Sequence, residues 1–307
     1  QIRPEWVLHT TGVIPALSAV IKALTQPGDK VLIQTPVYNH FFTSIHNSGC
    51  QAAESPLVYR DNTYTIDFDD LERKAADPAV KLMLLCNPHN PAGRVWTPAE
   101  LHRIGELCLR HDVVVVADEI HCELVMPGFR YTPFASLCEE FERRSVTCTS
   151  PSKAFNLAGL QVANIFAADA ALRARIGHSL QINETGEIGP FAIEALIAAY
   201  DEGAEWLDAL NEYLHGNYRF SREYFDRNLP QYPVLPLEGT YLVWVDCRAS
   251  GLTSDELETK LLEEAKLRIN PGAIYGEAGR DFIRLNIACP RKLLAEGLDR
   301  LRKVLKR

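Results

Sequence analysis

A lysine that directly follows a strand-like run is the first residue whose surroundings suggest chemistry. Lys153 comes after the run 145–149 and lies within Ser150-Pro-Ser-Lys-Ala-Phe-Asn-Leu-Ala-Gly159. The carboxyl end of a strand is where α/β sheets place their ligand crevices. A lysine in a partly apolar pocket favours its neutral amine, which attacks a carbonyl group to give a Schiff base. The hydroxyls of Ser150 and Ser152 suit a phosphate, so the segment suggests pyridoxal 5'-phosphate (PLP), an aldehyde that carries a phosphate. An ordinary lysine in a polar loop is the alternative.

The same segment also matches the Ser-x-x-Lys pattern of serine acyl-transfer enzymes, at Ser150 and Lys153. Those enzymes carry K-T-G and S-D-N strings as well, and neither string occurs in this chain. A four-residue match is weak without them. The Schiff-base interpretation is therefore favoured over acyl transfer.

The composition is typical of an acidic globular protein. Of the 307 residues, 47% are hydrophobic and 23% are charged, and the net charge is −8. This length predicts one large domain and a smaller one. The negative charge and the lack of a basic run argue against a nucleic-acid partner. No apolar run reaches transmembrane length and no signal-peptide pattern occurs, so no membrane partner is predicted.

Eight cysteines are scattered along the chain without a C-x-x-C pair. Several lie in apolar runs, which predicts reduced core residues and a cytoplasmic location. No metal site is predicted, although the neighbours His121 and Cys122 leave metal binding as a minor alternative.

Three other predicted strands are each followed by a residue that suits ligand recognition. The strands cover 30–35, 81–86 and 113–117, and the residues that follow them are Tyr38, Asn90 and Asp118. The uniformly apolar third strand predicts a central position in a parallel sheet. Near the start of the chain, a loop ending at Gly12 leads into a predicted helix from Val13 to Leu24. Its N-terminus would attract a phosphate. Packing for Tyr38, a helix cap for Asp118 and a plain turn at Gly12 are the alternatives.

The alternation of strands and helices predicts an α/β fold with a mostly parallel, doubly wound sheet. We assign residues 1–214 to this large PLP-binding domain and residues 215–307 to a smaller C-terminal α+β domain. In the second part, Arg284 lies in an alternating apolar strand, where an arginine is unusual unless it binds an anion. A structural salt bridge is the alternative. No G-x-G-x-x-G follows the first strands, which argues against a nicotinamide cofactor.

Together these motifs resemble the fold type I PLP enzymes of the class I/II aminotransferase superfamily. The strings Asn87-Pro-His-Asn-Pro-Ala-Gly-Arg-Val-Trp96, Asp118-Glu-Ile-His121 and 150–159 are most similar to the MalY/PatB-like branch of cystathionine β-lyases, or C–S lyases. The resemblance implies the PLP-dependent transferase-like (aspartate aminotransferase) fold and PLP as cofactor. It also implies a homodimer that acts on a small amino-acid substrate.

The resemblance further implies a role for each candidate residue around the cofactor ring. Lys153 would form the Schiff base, and Asp118 would partner the pyridine nitrogen. Asn90 would bond the phenolic oxygen, with His121 nearby, and Tyr38 would stack on the ring. Arg284 would bind the substrate's α-carboxylate through two hydrogen bonds. The phosphate would be bound by Gly12, Val13, Ile14, Ser150 and Ser152.

Three departures from the family pattern are visible. His121 replaces a tyrosine that aspartate-type aminotransferases usually carry, and Gln161 lies where many of them carry a phosphate-binding arginine. A full family member has a segment ahead of the position of Val7, and this sequence lacks it. The predicted activity is cleavage of cystathionine or related S-substituted cysteines. An aminotransferase, and a truncated non-catalytic regulatory or binding paralogue, are the alternatives.

Overall fold

The computed structural model describes residues 2–306. Its strands form a seven-stranded sheet, a three-stranded sheet and a two-stranded hairpin. In chain order the strands are β1 (Val7–Thr10), β2 (Lys30–Ile33), β3 (Gln51–Glu54), β4 (Val58–Arg60), β5 (Thr63–Thr65), β6 (Val80–Cys86), β7 (Val114–Asp118), β8 (Ser145–Thr149), β9 (Ala163–Phe166), β10 (Leu242–Asp246), β11 (Asn270–Pro271) and β12 (Phe282–Asn286).

The large sheet has the strand order β1-β9-β8-β7-β6-β2-β3. Neighbours from β3 through β2, β6 and β7 to β8 pair in parallel, whereas β9 pairs antiparallel with both β8 and β1. Every residue of the central strand β7 is buried, as its apolar run predicts. The expected mostly parallel α/β sheet is confirmed.

The helices surround this sheet and continue into the C-terminal part of the chain. In chain order they are α1 (Val13–Leu24), α2 (Asn39–Asn47), α3 (Phe68–Ala75), α4 (Pro98–Arg110), α5 (Glu139–Arg143), α6 (Pro151–Ala154), α7 (Ala170–Ile182), α8 (Pro190–Glu202), α9 (Ala204–Asn228), α10 (Ser254–Ala265) and α11 (Arg291–Leu305).

Helices cover both faces of the large sheet, so it is doubly wound. On one face, the apolar sides of α1, α2 and α7 pack against alternate strand residues such as Leu82 and Val116. On the other face, α3 and α4 pack against the intervening residues of the same strands, such as Met83 and Val115. The period-two alternation of a strand thus divides its side chains between two cores.

Helices α8 and α9 are separated by a single residue, Gly203. A Cβ atom at Gly203 would come within 2.5 Å of the Phe155 ring and 2.3 Å of the Ala199 carbonyl oxygen. Only glycine allows this close approach, which brings the junction of α8 and α9 against the segment that carries Lys153.

The C-terminal part contains the three-stranded sheet, in the order β10-β12-β11, with α10 and α11. Its apolar side chains form a third core together with the second half of α9. Helix α9 runs without interruption through residues 214 and 215. The division into 1–214 and 215–307 therefore stays a prediction.

Within residues 2–306, no helix is long and apolar enough to cross a membrane. The same residues include no group of three or more His, Cys, Asp and Glu side chains that could hold a metal ion. None of the eight cysteines is paired.

Candidate active site

A cavity of about 390 Å³ lies at the carboxyl edge of the large sheet, and all the residues proposed from the sequence line it. These residues are Gly12, Val13, Ile14, Tyr38, Asn90, Asp118, His121, Ser150, Ser152, Lys153 and Arg284. The parallel direction of β2, β6, β7 and β8 explains most of this convergence, because their carboxyl ends meet at one edge. The folded chain thus brings together residues that are up to 272 positions apart.

The loop after β6 is fixed by hydrogen bonds and ion pairs, both local and to distant segments. The indole N–H of Trp96 donates to the Cys86 carbonyl oxygen (3.0 Å), and the Asn87 amide donates to the Thr132 carbonyl oxygen (3.1 Å). The guanidinium of Arg94 pairs with Glu100 and Glu238. These bonds hold the backbone around Asn90, whose side chain lines the cavity.

Asp118 ends β7 and is 3% exposed. Its carboxylate accepts one hydrogen bond, from the Ile120 N–H (3.2 Å), and makes no other within residues 2–306. Burial raises the pKa of the Asp118 carboxyl to about 7, although the Ile120 N–H and the positive charge of Lys153 lower it. A cation placed beside this carboxylate would restore its charged form.

Lys153 lies in the short helix α6, which begins after Ser150. Burial lowers the pKa of the Lys153 amine below its ordinary value, and the charge of Arg284 lowers it further. The nearby Asp118 carboxylate opposes this shift. The Lys153 amine forms no ion pair with a described residue. An amine in this position reaches its neutral, nucleophilic form more readily than a surface lysine does.

Arg284 reaches the cavity from β12. Its guanidinium donates to the side-chain oxygens of Asn90 (3.0 Å) and Asn270 (3.2 Å) and lies 4.9 Å from the centre of the Tyr275 ring. No carboxylate within the described range 2–306 pairs with it, and its buried Nε has no hydrogen-bond partner there. The structural salt bridge considered above is therefore wrong, and the guanidinium can bind an incoming anion.

His121 and Tyr38 supply the two cavity rings that were predicted from the sequence. His121 is 4% exposed, and its Nδ1 has no hydrogen-bond partner among residues 2–306. Burial, together with the positive charges of Lys153 and Arg284, lowers the pKa of His121 to about 3. The imidazole is therefore neutral at physiological pH. Burial also raises the pKa of the Tyr38 hydroxyl to about 12, which keeps it protonated.

The end of the cavity near α1 carries the predicted phosphate-binding groups. Gly12 precedes α1 with a φ of 141°, a backbone conformation that favours glycine. The Ser150 hydroxyl donates to the Val162 carbonyl oxygen (2.6 Å) and accepts from the Ser152 N–H (3.1 Å), so its proton is already engaged. The Ser152 hydroxyl makes no hydrogen bond with the described residues. Gln161 lines the same cavity.

Sequence reasoning missed four residues around Arg284. Tyr241 and Asn286 line the cavity, while Tyr275 and Asn270 contact the guanidinium. The position of Asn286, two residues after Arg284 on the same strand, was the available signal, because alternate strand residues share a face. Tyr241, Tyr275 and Asn270 carried no comparable signal, since long connections separate them from the recognised motifs.

Glu119 follows Asp118 but belongs to a separate buried network. Its carboxylate accepts hydrogen bonds from the Phe134 N–H (2.9 Å) and from the Tyr131 hydroxyl. Burial raises the pKa of Glu119 to about 7. Glu119 does not line the cavity of the candidate site.

We expect Glu119 to make stability pH-dependent. Because its folded-state pKa exceeds that of an unfolded chain, the folded state retains a proton that the unfolded state loses between about pH 4.5 and 7. Its contribution to the free energy of unfolding thus falls by on the order of 3 kcal/mol across that window. Urea denaturation at several pH values should show a flatter pH dependence for Glu119→Gln than for the wild type. An unchanged slope would contradict this, and the exposed Glu277→Gln is the control.

Comparison with known proteins identifies the family of the chain. The model of the family "Aminotransferase class I and II" matches residues 1–301. Cystathionine β-lyase PatB of Bacillus subtilis is 43% identical over 305 residues, covering 99% of this chain and 79% of the relative. Protein MalY of Escherichia coli is 34% identical over 304 residues, covering 97% of this chain and 76% of the relative.

Similarity to solved structures supports the same family. Cystalysin from Treponema denticola, whose crystal structure contains PLP, superposes with a TM-score of 0.98 at 37% identity. The match covers 100% of this chain and 78% of that chain. The fold expected from the motifs is confirmed. The chain belongs to the class I and II aminotransferase family.

Proposed function

We propose that this chain is a PLP-dependent carbon–sulfur β-lyase. It would cleave cystathionine or a related S-substituted cysteine, with water, into a thiol, pyruvate and ammonia. The similar proteins named as cystathionine β-lyases support this activity. The observation that carries the proposal is one cavity in which Lys153 and Asp118, each with its pKa shifted towards the neutral form, face Arg284, a cation without an acidic partner.

The donor set of the cavity fits PLP. A buried carboxylate with a single hydrogen bond suits a protonated ring nitrogen, and an unpaired lysine suits an aldehyde. The N-terminus of α1 and the free Ser152 hydroxyl suit the phosphate. We propose that Asp118, Lys153, Ser152 and the backbone at Gly12 hold these parts, with Val13, Ile14 and Ser150 beside the phosphate.

When bound, PLP supplies an electron-withdrawing ring that stabilises negative charge developing on the substrate's Cα. We propose that Asp118 retains a proton on the ring nitrogen through its carboxylate. Lys153, once released, accepts the Cα proton with its neutral amine. Loss of the sulfur substituent from Cβ follows, because a thiolate is a good leaving group. Tyr38 packs on the ring, and Asn90 and the neutral His121 contact its polar edge.

Arg284 positions the substrate in this scheme. Its guanidinium is held by Asn90 and Asn270 and binds the α-carboxylate with two hydrogen bonds, which orients the Cα proton towards Lys153. Burial lowers the pKa of Arg284, and yet a guanidinium remains charged throughout the physiological range. The cavity therefore selects amino acids with a free carboxylate.

We expect Arg284→Lys to lower kcat/KM about 10- to 100-fold, mainly through KM, because an ammonium cannot reproduce the bidentate contact. Affinity for PLP, measured by titration of the cofactor-free protein, should change little. Arg268→Lys, at an exposed position nearby, is the matched control. A fall in kcat alone, with KM unchanged, would contradict a carboxylate-binding role.

One assay separates the lyase from its nearest alternative, an aminotransferase. The enzyme is incubated with cystathionine, and separately with an amino acid and a 2-oxo acid. A lyase releases pyruvate and ammonia from the first mixture, whereas an aminotransferase forms a new amino acid in the second. Product only in the second mixture would overturn the lyase assignment. Absence of cofactor binding would favour the non-catalytic alternative.

We also propose that the protein is a cytoplasmic homodimer. Eight unpaired cysteines support a reducing compartment. Apolar side chains on α7 and α8 support self-association, since Ile182 is 67% exposed and Phe191 is 80% exposed. Sedimentation of the purified protein tests whether it is a homodimer.

A further inference from the structure

A second cavity of about 450 Å³ adjoins the first and has no role in the scheme above. Lys153, Tyr241 and Asn286 line both cavities, so the two spaces meet along these three side chains. The substituent on the sulfur of an S-substituted cysteine begins three bonds from the Cα whose proton Lys153 is proposed to accept. A large substituent must therefore lie in a space next to Lys153.

One face of helix α9 forms the wall of this second cavity. Trp206, Leu210, Tyr213 and Leu214 line it, at the i, i+4, i+7 and i+8 positions that share one side of a helix. Trp206 is 48% exposed although it is a large apolar residue. Tyr213 is 44% exposed, whereas Leu214 is buried beneath them. Exposed aromatic side chains beside a reaction centre are typical of a ligand-binding surface.

The wall is held in place by contacts with two other segments. The Trp206 ring stacks on Phe155, with ring centres 5.8 Å apart and an interplanar angle of 26°. Phe155 is two residues from Lys153, so the stack ties the wall to the catalytic segment. The Tyr213 hydroxyl accepts a hydrogen bond from the Arg291 N–H at the start of α11 (2.8 Å). Pre-organised rings of this kind bind a ligand with little loss of conformational entropy.

The charge of the cavity indicates which substituents fit. Apart from Lys153, no lining residue is charged, and the other polar side-chain groups of the lining are amides, a thiol, an indole N–H and phenol hydroxyls. A substituent that ends in a carboxylate and an ammonium, as in cystathionine, would find no paired counter-charge there. An aryl or alkyl group would bury apolar surface against Trp206 and Leu210.

We infer that this second cavity is the subsite for the sulfur substituent and that it selects apolar substituents, aromatic ones above all. The inference rests on the proposed lyase function and specifies its substrate class. Trp206 is then a specificity-determining residue that contacts the leaving group.

The test compares two substrates that differ only in the substituent, S-benzyl-L-cysteine and S-methyl-L-cysteine. In the PLP-loaded enzyme, we expect kcat/KM to be at least about tenfold higher for the benzyl compound, which is typical of an apolar group in a hydrophobic pocket. In Trp206→Ala the ratio of the two kcat/KM values should fall about tenfold. Phe129→Ala, at an aromatic side chain that is 47% exposed outside both cavities, should leave the ratio unchanged.

A second variant and a binding measurement keep the test decisive. Leu210→Glu, which places a charge on the same wall, should also lower the ratio of the two kcat/KM values. It replaces Trp206→Ala as the test if that variant fails to fold. Calorimetry with PLP-loaded Lys153→Ala should show tighter binding of the benzyl than of the methyl compound, without turnover.

Equal ratios of the two kcat/KM values in wild type, Trp206→Ala and Leu210→Glu would overturn the subsite. This is also the result expected if another segment or a second copy of the chain covers the second cavity. If the wild type released pyruvate from neither compound, the lyase proposal would fail. The calorimetric preference would still decide the subsite.

Discussion

Replacement of Lys153 by alanine is expected to abolish turnover, with kcat reduced by about a thousandfold or more. The side chain has two roles in our account, because its amine both holds the cofactor aldehyde and accepts the Cα proton. Its lowered pKa suits both roles, since each requires the neutral amine. The visible absorption band of the lysine-bound cofactor should be lost as well.

Two measurements distinguish this result from general damage. Far-UV circular dichroism should be unchanged, because Lys153 makes no ion pair that the substitution would break. Lys81→Ala, at an exposed lysine that contacts the Pro78 carbonyl oxygen, should retain full activity and the absorption band. Substantial turnover by Lys153→Ala would refute the catalytic assignment.

Replacement of Asp118 by asparagine is expected to lower kcat about 10²- to 10³-fold, the range found when one electrostatic group is removed from a transition state. An amide of the same shape cannot retain a proton on the ring nitrogen, so the ring withdraws electrons less strongly. Affinity for PLP should fall much less, because the lysine and the phosphate contacts remain. The kinetic isotope effect measured with a substrate deuterated at Cα should increase as proton abstraction becomes slower.

The stability of the Asp118→Asn protein distinguishes the expected loss of kcat from a folding defect. Burial raises the pKa of Asp118 to about 7, so the charged carboxylate destabilises the cofactor-free protein at neutral pH. The cofactor-free Asp118→Asn protein should consequently unfold at no lower urea concentration than the wild type at pH 7.5. Asp112→Asn, at an exposed carboxylate paired with Arg144, is the control. Loss of PLP with normal kcat on reconstitution would contradict the proposed role.

Several parts of the fold followed from local patterns in the sequence. The apolar period of α1 predicted its range, 13–24. The sequence Thr97-Pro-Ala-Glu100 is typical of a capping box, and the structure contains one there. The apolar run of β7 predicted a central strand with Asp118 at its end. These features depend on neighbours within a few residues, which a single sequence displays directly.

Other parts depend on contacts between distant segments. The glycine at 203 is a local signal for a helix end, but its close approach to the Phe155 ring, 48 positions away, is not visible in the local sequence. The reversed direction of β9 depends on its pairing with β1 and β8. Tyr241 and Asn270 are brought to the site by the C-terminal part of the chain. The Ser150 hydroxyl donates its hydrogen bond to the Val162 carbonyl oxygen. The phosphate contact predicted for Ser150 therefore stays a prediction.

Chemical trapping tests the central claim most directly. The protein is loaded with PLP, reduced with borohydride, which fixes a lysine–cofactor bond as a stable secondary amine, and digested for peptide mass spectrometry. We predict that the cofactor mass is found on Lys153 alone, at a stoichiometry near one per chain. Reduction that left Lys153 unmodified, or that labelled several lysines equally, would contradict it.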